Sequence, residues 1–219
     1  MELLSRTVGP IATNVYVLAD SRTHEAIAID TAIPSLAWLS GMLTERGWQL
    51  KLIVSTHGHW DHVGDNAAVQ AWTHDHQPGD EARIAVHPLD REMLMHPQPL
   101  FAPFPIPPSV PAMDLAEGGR VKFGEIDLEV LHTPGHTEGS VCLLERTNGL
   151  LLSGDTLFAG SWGRTDLPGG SEEQMAESLG RLAGLDDRLR ALPGHGAATT
   201  IGAERHWLEW VRANRALPR

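Results

Sequence analysis

A cluster of metal-ligand side chains follows the predicted strand at residues 50–54. Three histidines and an aspartate stand close together at His57, His59, Asp61 and His62. Imidazole nitrogens and carboxylate oxygens are the ligands that a borderline divalent cation such as zinc prefers. A strand that ends in a tight turn can point alternate side chains into one cavity. The spacing therefore predicts a metal site at the end of this strand.

The same pattern recurs three times, with a predicted strand, then a glycine, then a ligand-type residue. These later residues are His136, Asp155 and His195. The glycine permits a sharp backbone turn close to a crowded centre. Seven ligand-type residues are too many for one tetrahedral ion. They suit two ions that share a bridging carboxylate and a bridging water.

Together, these seven positions resemble the ligand set of the metallo-β-lactamase superfamily, over residues 14–195. The resemblance implies an α/β fold, a four-layer αβ/βα sandwich, with the metals at the shared edge of two sheets. We expect residues 1–219 to form a single domain. By the family pattern, one metal is held by His57, His59 and His136, the other by Asp61, His62 and His195, and both by Asp155. The expected cofactors are two divalent metal ions, with zinc favoured and iron or manganese as alternatives.

The chemistry expected of such a pair of ions is hydrolysis. Two neighbouring cations lower the pKa of a bridging water from about 16 towards neutrality and so produce hydroxide at working pH. Asp61 can orient this hydroxide while also binding metal, which makes it the predicted catalytic residue. A carbonyl that lies against one cation is polarised, and its oxyanion is stabilised there. No serine or cysteine nucleophile is required.

Two loops indicate a branch of the family. The segments 154–158 and 163–170 resemble those of the glyoxalase II-like group, and in particular its short, single-domain bacterial members. These resemble hydroxyacylglutathione hydrolases, which cleave S-D-lactoylglutathione to D-lactate and a free thiol. We therefore predict a thioesterase that acts on S-lactoylglutathione or a related acyl-thioester. Glyoxalase II proper carries a C-terminal helical domain that holds glutathione, whereas this chain stops after one helix. The identity of the substrate's thiol and acyl groups therefore stays open.

Other functions remain as alternatives. Persulfide dioxygenases share the 163–166 element and use one iron, bound through positions that match His57, His136 and Asp155. Lactone hydrolases use the same dinuclear ligand set, and a non-enzymatic binding protein could keep the fold. An aspartate at position 155, where true β-lactamases have cysteine, argues against antibiotic hydrolysis.

Three further residues have two interpretations each. Arg164 and Asp166 either contact substrate or support the ligand loop, or they form an ion pair that braces the loop, which we favour. Asp30 follows a predicted strand. It either accepts the second ring proton of a ligating histidine or caps the helix that begins near Pro34.

Composition limits the partners and the location. A formal net charge of −11, from 28 acids and 17 bases, is a poor match for nucleic acid, which needs a basic surface. The predicted partner is a small-molecule thioester, without nucleic acid or membrane, and the oligomeric state is open. The chain has neither a signal-peptide pattern nor an apolar run long enough to span a membrane, so we expect a cytoplasmic protein. Cys142 lies in an apolar run and is expected to be buried rather than nucleophilic.

The element pattern predicts strands in blocks with helices between them. Predicted strands cover residues 14–18, 25–30, 50–54, 82–86, 120–123, 126–131, 140–144, 150–153 and 189–192. Predicted helices cover residues 34–46, 64–72, 88–95, 172–182 and 203–214. Seven of the fifteen prolines fall in residues 97–111, among Leu100, Phe101, Phe104 and Ile106. Such a segment forbids a regular helix or central strand, and we expect either a lid or a passive covering loop.

Overall fold

The computed structural model describes residues 1–77, 79, 81–98, 102 and 104–218. The chain divides into two compact units. The first comprises Met1–Leu115 and Lys122–Asp127, and the second comprises Ala116–Val121 and Leu128–Arg219. The single domain expected over residues 1–219 stays a prediction.

The first unit contains a six-stranded sheet in the order β1-β2-β3-β4-β5-β6. Its strands are β1 (Glu2–Val8), β2 (Thr13–Asp20), β3 (Glu25–Ile29), β4 (Gln49–Val54), β5 (Arg83–Val86) and β6 (Met113–Asp114). Its helices are α1 (Leu36–Arg46), α2 (Trp60–Val63), α3 (Asn66–His76) and α4 (Arg91–Met95), with a 3-10 turn at Pro88–Asp90. The core of this unit joins apolar side chains of β2 to β5 with those of α1 and α3.

Strands β3, β4 and β5 run parallel to one another. Parallel strands need crossover connections, and here helices supply them after β3 and after β4. The carboxyl ends of parallel strands share one edge of a sheet, which is where such folds place their ligands. The segments that follow Ile29, Val54 and Val86 therefore leave the sheet at the same edge.

The second unit is built around a six-stranded sheet in the order β14-β13-β10-β9-β8-β7, of which only residues 122–127 are grouped with the first unit. Its strands are β7 (Arg120–Phe123), β8 (Ile126–His132), β9 (Val141–Glu145), β10 (Leu150–Gly154), β13 (Arg190–Pro193) and β14 (Thr199–Thr200). A separate two-stranded hairpin joins β11 (Leu157–Phe158) to β12 (Ser161–Trp162), and the helices are α5 (Glu172–Leu182) and α6 (Ile201–Asn214). Since β8 and β10 both pair antiparallel with β9, and β10 is parallel to β13, all three strands end at one edge.

The structure departs from the sequence-based elements in several places, and the two-residue strands β6, β11, β12 and β14 were not predicted. The edge strand β1 was not predicted, because its residues are half-buried or exposed and show no clear alternation. It forms because all seven residues pair with β2. Helix α1 begins at Leu36 rather than at residue 34, and the helix expected over 64–72 is α3, preceded by the short, unpredicted α2. The helix expected over 88–95 is divided between the 3-10 turn and α4.

The proline-rich segment has no regular structure where it is described. The prediction of a lid or a covering loop rested partly on Leu100 and Phe101, which lie outside the described residues. Ile106 is buried, and the ring of Phe104 packs edge-on against Trp60 with the centroids 6.0 Å apart. The amide of Ser109 donates to the carbonyl of Leu94 at 2.9 Å. This part of the segment covers the turn that carries the first four ligand-type residues, and the choice between lid and passive cover stays a prediction.

Among the described residues, every helix is too short or too polar to traverse a lipid bilayer.

Candidate metal centre

The first unit places His57, His59, Asp61 and His62 in one buried turn after β4. Donor atoms of His57 and His59 lie within 4.8 Å of each other, and the same holds for His57 with His62. Nε2 of His62 lies 3.2 Å from Oδ2 of Asp61. Three imidazoles and a carboxylate are thus concentrated where burial makes their lone pairs costly to leave without a cation.

Asp30 and Thr56 orient two of these imidazoles. Oδ2 of Asp30 lies 2.9 Å from Nδ1 of His62, and the hydroxyl of Thr56 donates to the same oxygen at 2.8 Å. The amide of Thr56 donates to Oδ1 at 2.7 Å. Because the hydroxyl of Thr56 donates its proton to Asp30, the Thr56 oxygen accepts a hydrogen bond from Nδ1 of His57, 3.1 Å away. Both imidazoles then keep the Nε2 lone pair that a metal ligand needs.

Asp30 therefore occupies the histidine-orienting position that one of its two interpretations required. It is buried and adopts a left-handed backbone conformation with φ of 56°. Aspartate tolerates this region better than most residues do. The competing role, capping of α1, belongs to Asp65, which accepts from the amides of Ser35 at 2.6 Å and Leu36 at 2.9 Å.

Two supporting residues of the first unit escaped the sequence analysis. Oδ2 of Asp90 accepts the amide of Gly58 at 2.8 Å and so holds the turn between His57 and His59. The hydroxyl of Thr13 donates to Asp61 at a long 3.4 Å. No spacing in the sequence links residue 90 to residue 58, and only the parallel pairing of β4 with β5 indicates that their ends meet.

The second unit groups the other three ligand-type residues around one carboxylate oxygen. Oδ2 of Asp155 lies 3.5 Å from Nε2 of His136 and 3.6 Å from Nε2 of His195. Ligands at about 2.0–2.2 Å from a tetrahedral ion stand about 3.3–3.6 Å apart. The separations therefore match those of donors that share an ion rather than those of hydrogen-bonded pairs.

A tight loop contact orients His136. Its Nδ1 donates to the carbonyl of Arg164 at 2.7 Å, which leaves Nε2 facing Asp155. The loop approaches closely because Gly163 has no side chain, since a Cβ there would lie 1.9 Å from the carbonyl oxygen of Asp155. Sequence reasoning missed the role of this glycine, although it begins the 163–170 loop.

Arg164 and Asp166 form the favoured ion pair. Two hydrogen bonds of 2.7 Å join the guanidinium to the carboxylate, and both side chains are exposed. The hydrogen bonds from Arg164 lower the pKa of Asp166 to about 2. Arg164 therefore supports His136 through its backbone carbonyl, while its side chain braces the loop.

The donor set of the two units consists of five imidazoles and two carboxylates. In number and kind these groups fit a dinuclear site for divalent ions. Cys142 adds no thiolate, because it is fully buried and burial raises the pKa of its thiol to about 11.

The sequence of the chain matches known proteins over most of its length. The sequence model of the metallo-beta-lactamase superfamily matches residues 8–195. An uncharacterized protein of Aquifex aeolicus is 35% identical over 204 residues, which cover 90% of this chain and 91% of that protein. A hydroxyacylglutathione hydrolase of Thermosynechococcus vestitus is 35% identical over 182 residues, which cover 83% of this chain but only 62% of that enzyme.

Solved structures give the same fold. The crystal structure of the BLEG-1 B3 metallo-beta-lactamase is similar with a TM-score of 0.83 and 30% identity, covering 96% of this chain and 99% of that one. The crystal structure of TTHA1623 in a di-iron-bound form has a TM-score of 0.81 and 32% identity, covering 93% and 97%.

These matches confirm the α/β fold class and the resemblance inferred from the ligand motif. They also include hydroxyacylglutathione hydrolases, the branch that the loops at 154–158 and 163–170 indicate. The chain is accordingly a member of the metallo-β-lactamase superfamily, whose proteins are generally metal-dependent hydrolases.

Proposed function

We propose that this protein is a dinuclear metal-dependent hydrolase that cleaves an acyl-thioester of a small thiol, with S-lactoylglutathione as the first candidate. The observation that carries the proposal is the position of Asp155, whose Oδ2 lies almost equally far from Nε2 of His136 and of His195. One carboxylate oxygen between two imidazoles is the arrangement expected of a group that bridges two ions. The hydroxyacylglutathione hydrolases among the relatives support the thioester.

The proposed ligand sets follow the family pattern. In that pattern His57, His59 and His136 would hold one ion, Asp61, His62 and His195 would hold the other, and Asp155 would serve both. The outward-facing nitrogens of His57, His62 and His136 are already engaged by Thr56, Asp30 and the Arg164 carbonyl. Such contacts fix the ring orientation and raise the basicity of the ligating nitrogen.

When bound, the two ions would supply an activated water and polarise the substrate carbonyl. Asp61 would accept a hydrogen bond from that water and direct it towards the carbonyl carbon, in a buried setting where such contacts are strong. The Thr13 hydroxyl donates to this carboxylate. A thiol with a pKa of about 8.5 departs as the thiolate, so the leaving group needs no separate proton donor.

A turnover panel run on one preparation tests the proposal. The panel contains S-lactoylglutathione, other acyl-thioesters, a lactone, a β-lactam and glutathione persulfide, and metal is quantified in the same sample. We expect about two metal equivalents per chain and hydrolysis of a thioester. A single iron with oxygen consumed on addition of persulfide would establish a dioxygenase instead. Preference for the lactone or the β-lactam would also overturn the thioester assignment.

Matched variants separate the metal site from general effects of substitution. H57A and D61A are expected to lose at least 100-fold in kcat/KM, because each removes a proposed ligand. H74A and D75A change the same residue types at exposed positions of α3 and are expected to behave as the wild type. Equal activity in all four variants would contradict the proposed site.

A further inference from the structure

Glu204, in the first turn of α6, is a buried carboxylate that collects three hydrogen bonds. Its Oε2 accepts the amide of Gly160 at 2.9 Å and the indole Nε1–H of Trp207 at 2.6 Å. Its Oε1 accepts the hydroxyl of Thr199 at 2.5 Å. Neither the ligand motif nor the family comparison assigns a role to this residue.

Two of the donors belong to segments next to proposed metal ligands. Gly160 forms the turn of the β11–β12 hairpin, which follows Asp155 directly. Thr199 stands four residues after His195. The hairpin also contacts the ligand itself, because the ring of Phe158 packs edge-on against His195 with the centroids 6.3 Å apart. Glu204 thus connects two segments. One is the segment that follows His195, reached through Thr199, and the other is the β11–β12 hairpin, which packs against the His195 ring.

His195 is the most exposed of the seven proposed ligands. Its side chain is 24% exposed, whereas those of His136 and Asp155 are 4% and 9% exposed. It lies between two glycines, of which Gly196 has a φ of 75°. On its upstream side the amide of Gly194 donates to the carbonyl of Gly154 at 2.9 Å. On its downstream side Thr199 pairs with Ala191 of β13, and its hydroxyl donates to Glu204.

We propose that Glu204 is a positioning residue that fixes His195 for metal binding, through Thr199 behind the ligand and through the β11–β12 hairpin beside it. The inference rests on the proposed function, because it takes His195 as a metal ligand. The inference adds Glu204 to the proposed site as a buried carboxylate that touches none of the proposed metal ligands directly. Partners that orient metal ligands typically change metal affinity by about 10–100-fold when they are removed.

Metal release from the zinc-loaded protein into excess chelator tests the role without any substrate. H195A first identifies which phase of zinc release depends on His195. In E204A we expect that phase to accelerate by about 10–100-fold and the other phase to stay within about twofold of the wild type. In the H195A background, E204A should add nothing, because both changes act through the same ligand.

Conservative variants keep the test independent of folding. E204Q retains an oxygen for Gly160 and Trp207, while its amide can donate to the Thr199 hydroxyl, so we expect release within about threefold of the wild type. T199V removes only one hydroxyl and should accelerate the His195 phase alone. E209A removes another glutamate of α6, which pairs with Arg205 and Arg212, and should leave both phases unchanged.

The outcomes distinguish this inference from the proposed function. If H195A alters zinc release and E204A does not, Glu204 has no positioning role although the ligand set holds. Equal acceleration of both phases by E204A would mean general loosening of the fold and would also overturn the inference. If H195A leaves both phases unchanged, the proposed ligand set fails, and the role of Glu204 fails with it.

Discussion

At the scale of single residues, the proposed ligands are oriented by quite different chemical groups. A carboxylate engages His62, a hydroxyl engages His57, and a backbone carbonyl engages His136. Each contact leaves Nε2 as the ligating nitrogen, so the imidazoles enter metal binding with the correct tautomer already set. This preorganisation lowers the cost of assembling the site.

Replacement of Asp30 by alanine is expected to weaken metal binding about 10–100-fold, because His62 and Thr56 both lose their acceptor. Competition titration of the metal-loaded protein with a chelator measures the change. D65A is the control, since Asp65 caps α1. It should cost about 0.5–2 kcal/mol of unfolding free energy and leave metal affinity unchanged. Equal metal affinity in the two variants would contradict the role of Asp30.

Cys142 is expected to resist alkylation in the native protein. Burial raises the pKa of its thiol to about 11, so the reactive thiolate is scarce at pH 8. Iodoacetamide at pH 8 should modify the unfolded protein quickly and the folded protein at least 100-fold more slowly, as followed by mass spectrometry. Raising the pH towards 10 should increase the thiolate fraction while the protein stays folded. Rapid modification of folded protein at pH 8 would show that the thiol is accessible.

At the scale of elements, both sheets present their ligand-bearing segments at strand ends. In the first unit the ends of β3, β4 and β5 supply Asp30, the histidine turn and Asp90 to one edge. In the second unit the ends of β8, β10 and β13 lead to His136, Asp155 and His195. Strand direction and pairing therefore account for the grouping within each unit.

The loop after β12 can approach Asp155 only because residue 163 is glycine. We expect G163A to disrupt the contact between Arg164 and His136, because the new Cβ would lie 1.9 Å from a backbone oxygen that has little room to move. Metal content measured after dialysis should fall, and the thermal midpoint should drop by several degrees.

G41A is the matched control for this substitution. Gly41 lies in α1, and an added Cβ there would meet nothing within 4 Å. Alanine at this position should therefore raise the free energy of unfolding by about 0.5–1 kcal/mol. Loss of metal from G41A, or normal metal content in G163A, would contradict the steric argument.

At the scale of the whole molecule, metal binding and folding should be coupled. A metal that binds the folded chain and not the unfolded chain stabilises the protein by mass action. Removal of metal by a chelator is expected to lower the melting temperature, and readdition of zinc should restore it, as measured by differential scanning fluorimetry. H57A, which lacks a ligand of one of the two proposed ions, should respond less to the chelator than the wild type, whereas H74A should respond as the wild type does. An unchanged melting temperature after complete metal removal would contradict the expected coupling between metal binding and folding.

The relatives leave the substrate to experiment. The chain matches 62% of the length of the hydroxyacylglutathione hydrolase of T. vestitus, and a B3 metallo-beta-lactamase is among the similar solved structures. The latter likeness is the reason why a β-lactam belongs in the turnover panel, although the aspartate at position 155 argues against antibiotic hydrolysis.

The kind of site can be predicted from the sequence alone. Closely spaced histidines after an apolar run, and glycine–ligand pairs at three later strand ends, predict metal binding because ligand chemistry is a property of residue type. Strong periodicity also located the long elements, and α5 begins and ends within the residues expected for it. The weakly patterned edge strand β1 was not predicted, because its stability comes from pairing with β2 rather than from its own residues.

The groups that support the proposed ligands become visible only in the folded chain. Asp90 reaches Gly58 across 32 residues, and Glu204 reaches Gly160 across 44. The choice of Asp65 over Asp30 as the cap of α1 likewise depends on a contact across 30 residues. Such contacts follow from strand pairing and helix packing, which bring distant residues together without leaving a local pattern. Residue types therefore indicate the chemistry, while the packing of the chain determines how each ligand is held.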